Sequence, residues 1–187
     1  MIDMITLKLK NIENLKQKAG KRNLIIQCSF CPSWNFPQDE IEKFAGSINS
    51  EIQKIPTICN RPAIKVDLEK YDVVFVLACG AGIQIISESV QREVIPAADT
   101  TGIGVKFKDK IEIYCKACGD CILDETAGIC PIVRCSKSLI NGPCGGVHNG
   151  MCEVNNMECG WVLILDRMRE LGNLEKFLQT RMPKPEK

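Results

Sequence analysis

Histidine is almost missing from this sequence: His148 is the only one in 187 residues. Mixed Cys–His zinc sites and Ser-His-Asp machinery both need imidazole in a recognisable setting, and His148 reads as a loop residue without a catalytic partner in its motif. Aromatic residues are scarce, at 5%. Net charge is also lacking: 24 basic against 23 acidic side chains leave a formal +1, so no bulk attraction to nucleic acid or an anionic membrane is expected. No apolar run approaches the roughly 18 residues of a membrane span, and there is neither an internal repeat nor a low-complexity tract. The first residues, MIDMITLKLKNIENLK, place a charge every few positions and contain no apolar signal core or cleavage site; a cytoplasmic location is the expectation.

What is abundant is cysteine, with twelve in the chain. Eight fall between Cys115 and Cys159, in CKACGDCILDETAGICPIVRCSKSLINGPCGGVHNGMCEVNNMEC. Thiols this dense form disulfides, hold metal or lie idle in a core. Disulfide frameworks belong to oxidising compartments, and idle cysteines belong in apolar runs, whereas these sit among Gly, Asp, Lys and Asn. Metal coordination is the reading that remains. Cys115-x2-Cys118-x2-Cys121 has the spacing that wraps a loop around an iron–sulfur cluster, whose fourth thiolate comes from elsewhere and is often followed by proline, as in Cys130-Pro131. Zinc is the alternative metal. Eight thiolates suffice for two four-cysteine sites. If the triplet stays together, any one of Cys130, Cys135, Cys144, Cys152 and Cys159 can complete it, and spacing leaves that choice open. The glycines of the stretch, Gly119, Gly128, Gly142, Gly145, Gly146 and Gly150, allow positive φ and close approach of amide N–H groups to sulfur.

The rest of the chain reads as α/β. Residues 4–9 alternate as a short edge strand, and Asn11 caps a helix reaching about Ala19. Asn23–Cys28 is a strand, followed at once by Cys28-x2-Cys31, a bend shaped by Pro32, Trp34 and Pro37, and a helix with Ile41, Phe44, Ile48 and Ile52 on one face. Ile55–Cys59 is a weak strand. Tyr71–Cys79 is the strongest, leading into a helix with Ile83, Ile86 and Val90. A continuous apolar run such as Val73–Leu77 followed by a helix signals a parallel strand covered on both faces. A short strand at Glu93–Ile95, an irregular turn over Thr100–Gly104 and a strand at Lys110–Tyr114 follow. The expected architecture is a small parallel-sheet lobe of Rossmann or flavodoxin-like type over 1–114, a loop-dominated cysteine-rich metal-cluster lobe over 115–160, and a C-terminal helix and tail over 161–187. In that helix Trp161, Ile164, Leu165 and Met168 share a face expected to pack on the sheet. Leu174, Phe177 and Leu178 form a second stripe before a Pro183-Lys-Pro185 tail.

Loops at the carboxyl ends of parallel strands share one edge and build the binding crevice. Cys28, Cys31, Cys59 and Cys79 are therefore expected to converge, and four thiolates suit a third metal centre; a redox dithiol at Cys28 and Cys31 is the competing reading. The Ala78-Cys-Gly-Ala-Gly82 stretch lacks the third glycine of a dinucleotide loop and the lysine of a phosphate loop, so neither is expected. Arg134 and Lys137 read as solvated surface charge, with steering of an acidic partner the alternative.

Several runs together resemble the methylenetetrahydrofolate reductase C-terminal family, the MetV-type subunit. These are Cys115-x2-Cys-Gly-Asp-Cys-Ile-Leu, Gly-Ile-Cys130-Pro, Arg134-Cys-Ser-Lys-Ser-Leu, Asn141-Gly-Pro-Cys-Gly-Gly146, Cys152-Glu-Val and Cys159-Gly-Trp161. The similarity takes in Leu77-Ala-Cys-Gly80 and, more loosely, the N-terminal half. Around the first cysteine pair the family is glycine-rich, whereas Ser29, Phe30, Pro32, Trp34 and Phe36 occupy that loop here. The resemblance implies an accessory iron–sulfur protein, also described as zinc-binding. It partners a flavin-bearing barrel subunit and feeds it electrons, from a ferredoxin or another redox donor, to reduce methylenetetrahydrofolate. It implies [4Fe-4S] clusters on the cysteines named above. No flavin barrel fits in 187 residues, so flavin is expected only in the partner, and the chain is not expected to be catalytic alone.

Overall fold

The computed structural model describes residues 5–31, 36–60, 67–107 and 110–178. The chain divides into two compact units, Met1–Ile113 and Tyr114–Lys187.

The first unit opens with strand β1 (Ile5–Leu9) and a short helix α1 (Ile12–Lys16), capped as expected by the Asn11 side chain, which accepts the Asn14 N–H at 3.1 Å. The helix stops at Lys16 rather than near Ala19. Strand β2 (Asn23–Cys28) is buried along its whole length. Helix α2 (Gln38–Ser47) follows Pro37, then β3 (Glu51–Ile55), a 3-10 turn over Leu68–Lys70, β4 (Val73–Leu77), helix α3 (Gly80–Ser89) and β5 (Glu93–Pro96). These four strands form one parallel sheet in the order β3-β2-β4-β5.

Side chains alternate across that sheet with the period of two that a strand imposes. Ile25, Val73, Phe75 and Leu77 face one cluster, which α2 covers with Ile41, Phe44 and Ala45. Leu24, Ile26, Val74 and Val76 face the other, covered by Ile86 of α3 and by Ile58, Leu68 and Tyr71. Phe44 meets Phe75 edge to face, with ring centroids 5.2 Å apart. Because β2 and β4 are covered on both faces, their sequences are unbroken apolar runs rather than alternating ones. The crossover leaving β2 lies on one face and the crossover leaving β4 on the other, so the sheet is doubly wound and its strand order reverses between β2 and β4.

Two expectations need correction here. β3 begins at Glu51 and ends at Ile55, so Ile52 belongs to a strand and not to the face of α2, and Cys59 lies in the turn beyond. Asn49, in the left-handed region at φ 49°, ends the helical path before Ile52. Thr100–Gly104 is no turn: it lies within β6 (Ala98–Phe107), the middle strand of a second sheet of order β1-β6-β7, with β7 spanning Lys110–Cys115. The glycines mark close approach rather than a bend. A Cβ on Gly104 would sit 2.2 Å from the Ile111 Cγ2 and 3.0 Å from the Glu112 carbonyl oxygen. Thr6 fixes the pairing by donating its hydroxyl to the Gly102 carbonyl at 3.0 Å. Pro32 and Trp34, Met4, and the Pro183–Pro185 tail lie outside the described residues.

The second unit is mostly loop. It contains a one-turn helix α4 (Pro131–Arg134), a minimal hairpin of β8 (Val147–His148) and β9 (Met151–Cys152), helix α5 (Gly160–Glu170) and a 3-10 helix over Leu174–Leu178. Asn149 and Gly150 both take positive φ (49° and 78°), the geometry that a two-residue hairpin turn requires. The buried face of α5, with Trp161, Ile164 and Met168, is filled from within its own unit by Ala127, Ile129, Cys135, Val147 and Phe177. The helix expected to pack on the sheet is thus the core of the cysteine-rich unit. Trp161 donates its indole N–H to the Leu139 carbonyl at 2.9 Å. Leu165 is half-buried, and Leu174 and Leu178 are exposed, so only Phe177 of the second stripe packs inward. No described helix is long and apolar enough to cross a membrane.

Candidate metal centres

All twelve cysteines are free thiols. In the first unit the sheet delivers four of them to one edge. Cys28 is the last residue of β2, opposite Ile55 at the end of β3, while its neighbour Gln27 pairs with Leu77 at the end of β4. Cys31 follows within three residues, and the Ser29 N–H donates to the Ile55 carbonyl at 3.0 Å, holding the start of this loop to the end of β3. Cys79 occupies the position that caps α3, yet its sulfur makes no capping bond; the Thr100 hydroxyl accepts the Gly80 N–H instead, at 3.0 Å. Ile58, fully buried beside Cys59, packs on the first turn of α3, its Cγ2 lying 3.4 Å from where a Cβ on Gly82 would be. That contact brings the turn carrying Cys59 to the helix that begins at Cys79. Consistently, the Cys31 thiol is pushed up, first by burial and then by Cys28, Cys59 and Cys79.

In the second unit the Cys115–Cys121 loop turns through two residues of positive φ, Ala117 at 52° and Gly119 at 77°. The Ala117 N–H donates to the Cys115 sulfur at 3.3 Å, and the Cys118 thiol donates to the Asp120 carbonyl at 3.7 Å. All three cysteines of the loop are exposed. Cys130 and Cys159 stand at the positions preceding α4 and α5, again without capping bonds. Cys135 and Cys159 pack in the same apolar cluster.

Lys137 is not simply solvated. Its ammonium donates to the Cys144 sulfur at 3.5 Å and pairs with the Glu153 carboxylate, and both interactions, Glu153 first, raise its pKa. The Cys152 thiol is held below the usual thiol range by the Val154 backbone N–H, then by the Ser136 hydroxyl 3.6 Å away, with smaller help from the Asn155 N–H and the charge of Lys137. Arg134 stacks its guanidinium over the Tyr114 ring, 4.8 Å from the centroid. His148 is exposed on the hairpin. Among the described residues, no three His, Cys, Asp or Glu side chains stand grouped for a single metal ion.

Several contributors escaped the sequence reading. Ser136 meets Cys152 sixteen positions away, Thr100 accepts the N–H of Gly80 beside Cys79, and Glu153 pairs with the Lys137 that reaches Cys144; no local motif encodes these contacts. The one available signal was the adjacency of Ser136 and Lys137 to Cys135.

A doubly wound α/β unit continued into a loop-rich unit with eight free thiols and a minimal apolar core defines a cysteine-rich α/β protein. Residues 95–187 match the family described as methylene-tetrahydrofolate reductase C terminal. The match takes in the eight cysteines from Cys115 to Cys159. Cys28, Cys31, Cys59 and Cys79 lie outside it. No curated protein and no solved structure matches the chain.

Proposed function

We propose that this chain is an iron–sulfur accessory subunit of a methylenetetrahydrofolate reductase complex, relaying electrons from a donor such as a ferredoxin to a flavin-bearing barrel partner in the cytoplasm. The observation that carries the reading is the condition of the thiols in the family-matched stretch: eight are unpaired, and N–H donors from the chain already reach Cys115 and Cys144, and the Val154 backbone N–H reaches Cys152. Donors aimed at sulfur stabilise the ionised form that metal requires and tune a cluster's potential. The donor set therefore fits [4Fe-4S] clusters, which supply one-electron transfer when bound.

Geometry supports one partition of the eight. Cys135 and Cys159 share a packed cluster, Cys152 bonds to the residue after Cys135, and Cys144 and Cys152 both feel Lys137. Those four form one site. Cys115, Cys118, Cys121 and Cys130 form the other, with Pro131 following the fourth ligand. In this arrangement Lys137 and Ser136 offset thiolate charge at the first group, and the Ala117 N–H does so at the second.

Protein purified without oxygen should be brown, with broad absorption at about 400 nm that dithionite bleaches. Cys144→Ser should remove one cluster's iron and sulfide and leave the other's. A colourless preparation with stoichiometric zinc would overturn the relay. A second reading, a zinc-stapled interaction module of the same complex, is favoured by one observation. Among the described residues, the buried apolar cluster of this unit is made of Cys159, Trp161, Ile164 and Met168, which is little for a unit of this size to fold on unaided.

A further inference from the structure

We infer that Lys137 sets the reduction potential of the centre held by Cys144 and Cys152, and that Glu153 is the positioning residue that keeps it in place. The inference rests on the relay reading and deepens it: of the two four-cysteine groups, it names the one whose potential a fixed cation governs.

Hairpin register comes first. Asn149 and Gly150 close a two-residue turn, so Val147 of β8 stands opposite Cys152 of β9. One step further from the turn, the Glu153 N–H donates to the Gly146 carbonyl at 3.0 Å. Register therefore lays the Glu153 side chain against Gly146, and glycine leaves the room it needs: a Cβ on Gly146 would sit 2.1 Å from the carboxyl carbon. The carboxylate occupies that space and pairs with the Lys137 ammonium.

Lys137 is fixed from its own side as well. The turn that carries it is tied back to α4 by Ser138, whose N–H donates to the Cys135 carbonyl at 2.9 Å and whose hydroxyl donates to the Ile132 carbonyl at 3.1 Å. From there the ammonium donates to the Cys144 sulfur at 3.5 Å, and its charge also acts on Cys152. Three short segments, carrying Cys135, Cys144 and Cys152, thus meet at one ammonium.

The consequence is electrostatic. Reducing an iron–sulfur cluster adds one negative charge to it, and a cation beside a ligand sulfur stabilises that charge and raises the potential. A carboxylate nearby does the reverse. Here the ammonium is bonded to sulfur while the carboxylate is bonded to the ammonium, so the cation dominates. A half-exposed ion pair contributes little to stability by itself; the sulfur contact is what gives this one a use.

The test is an anaerobic redox titration of the full chain, read by absorbance at about 400 nm and by electron paramagnetic resonance. Parent, Lys137→Met, Lys137→Arg and Glu153→Gln are compared at matched iron and sulfide content. Lys137→Met should lower one midpoint by roughly tenfold in the oxidised-to-reduced ratio, about 59 mV for one electron, and leave any other midpoint in place. Lys137→Arg keeps the charge and should stay near the parent. Glu153→Gln removes the opposing charge and should move the same midpoint upward. If the pair only clamped loops together, breaking it from either side would have the same effect. Shifts of one sign in Lys137→Met and Glu153→Gln therefore overturn the inference, as do unmoved midpoints, or a Lys137→Arg shift as large as that of Lys137→Met. Glu153→Gln keeps the ammonium and decides alone should Lys137→Met not retain iron. A brown parent whose variants keep its midpoints sinks this inference only, whereas an iron-free parent sinks the relay reading and this inference with it.

Discussion

Cys31 and Cys152 are displaced in opposite directions by their neighbours. Burial and three adjacent cysteines keep Cys31 protonated to higher pH, whereas the Val154 N–H and the Ser136 hydroxyl favour the Cys152 thiolate at lower pH. The thiolate is the reacting species, so in metal-free protein Cys152 should be alkylated faster than Cys31 at neutral pH. The pH midpoints of the two rates should fall on opposite sides of an ordinary thiol's, about 8.5. Ser136→Ala should move the Cys152 midpoint upward, and mass-spectrometric labelling across a pH series reads both. Identical profiles for the two thiols would contradict this account. Nothing in the sequence indicated that the cysteines differ, because Ser136 and Cys152 are sixteen positions apart. That spacing conceals the hydrogen bond that separates their chemistry.

Among the elements, the crossing of α4 and α5 depends on a missing side chain. A Cβ on Gly160 would lie 2.7 Å from the Arg134 carbonyl carbon and 2.8 Å from its oxygen. Backbone cannot yield as a flexible side chain can, so Gly160→Ala should destabilise the second unit by about 2 kcal/mol. Urea unfolding followed by the fluorescence of Trp161, buried next to it, measures the loss. Gly172→Ala is the control: it has open space but a φ of 66°, so its cost should be about 1 kcal/mol of backbone strain. At this scale β2, β4 and α3 were legible, because continuous apolar runs and a helical stripe survive in any packing. β3 and β6 were not. Ile52 fits a helix stripe and a strand equally well. The Thr-Thr-Gly-Ile-Gly run spells a turn until Ile111 of the neighbouring strand explains why glycine is needed.

For the whole molecule, the proposed metal centres predict that the two units respond differently to chelation. The sheet of the first unit has both faces filled by apolar clusters, whereas the second has one small cluster held among loops. Chelation under anaerobic conditions should abolish hydrogen-exchange protection through residues 115–159 and leave β2 and β4 protected. Equal loss in both units would show that metal does not support the second unit selectively. The sequence by itself determined the parallel sheet, the cysteine-rich stretch and the family resemblance. Strand burial, thiol spacing and motif order are all local properties, readable along the chain. Tertiary structure decided which cysteines are neighbours, that Lys137 serves Cys144 and Glu153, and that α5 forms the core of its own unit. Those facts depend on residues far apart in sequence meeting in space, and a one-dimensional pattern does not carry that information.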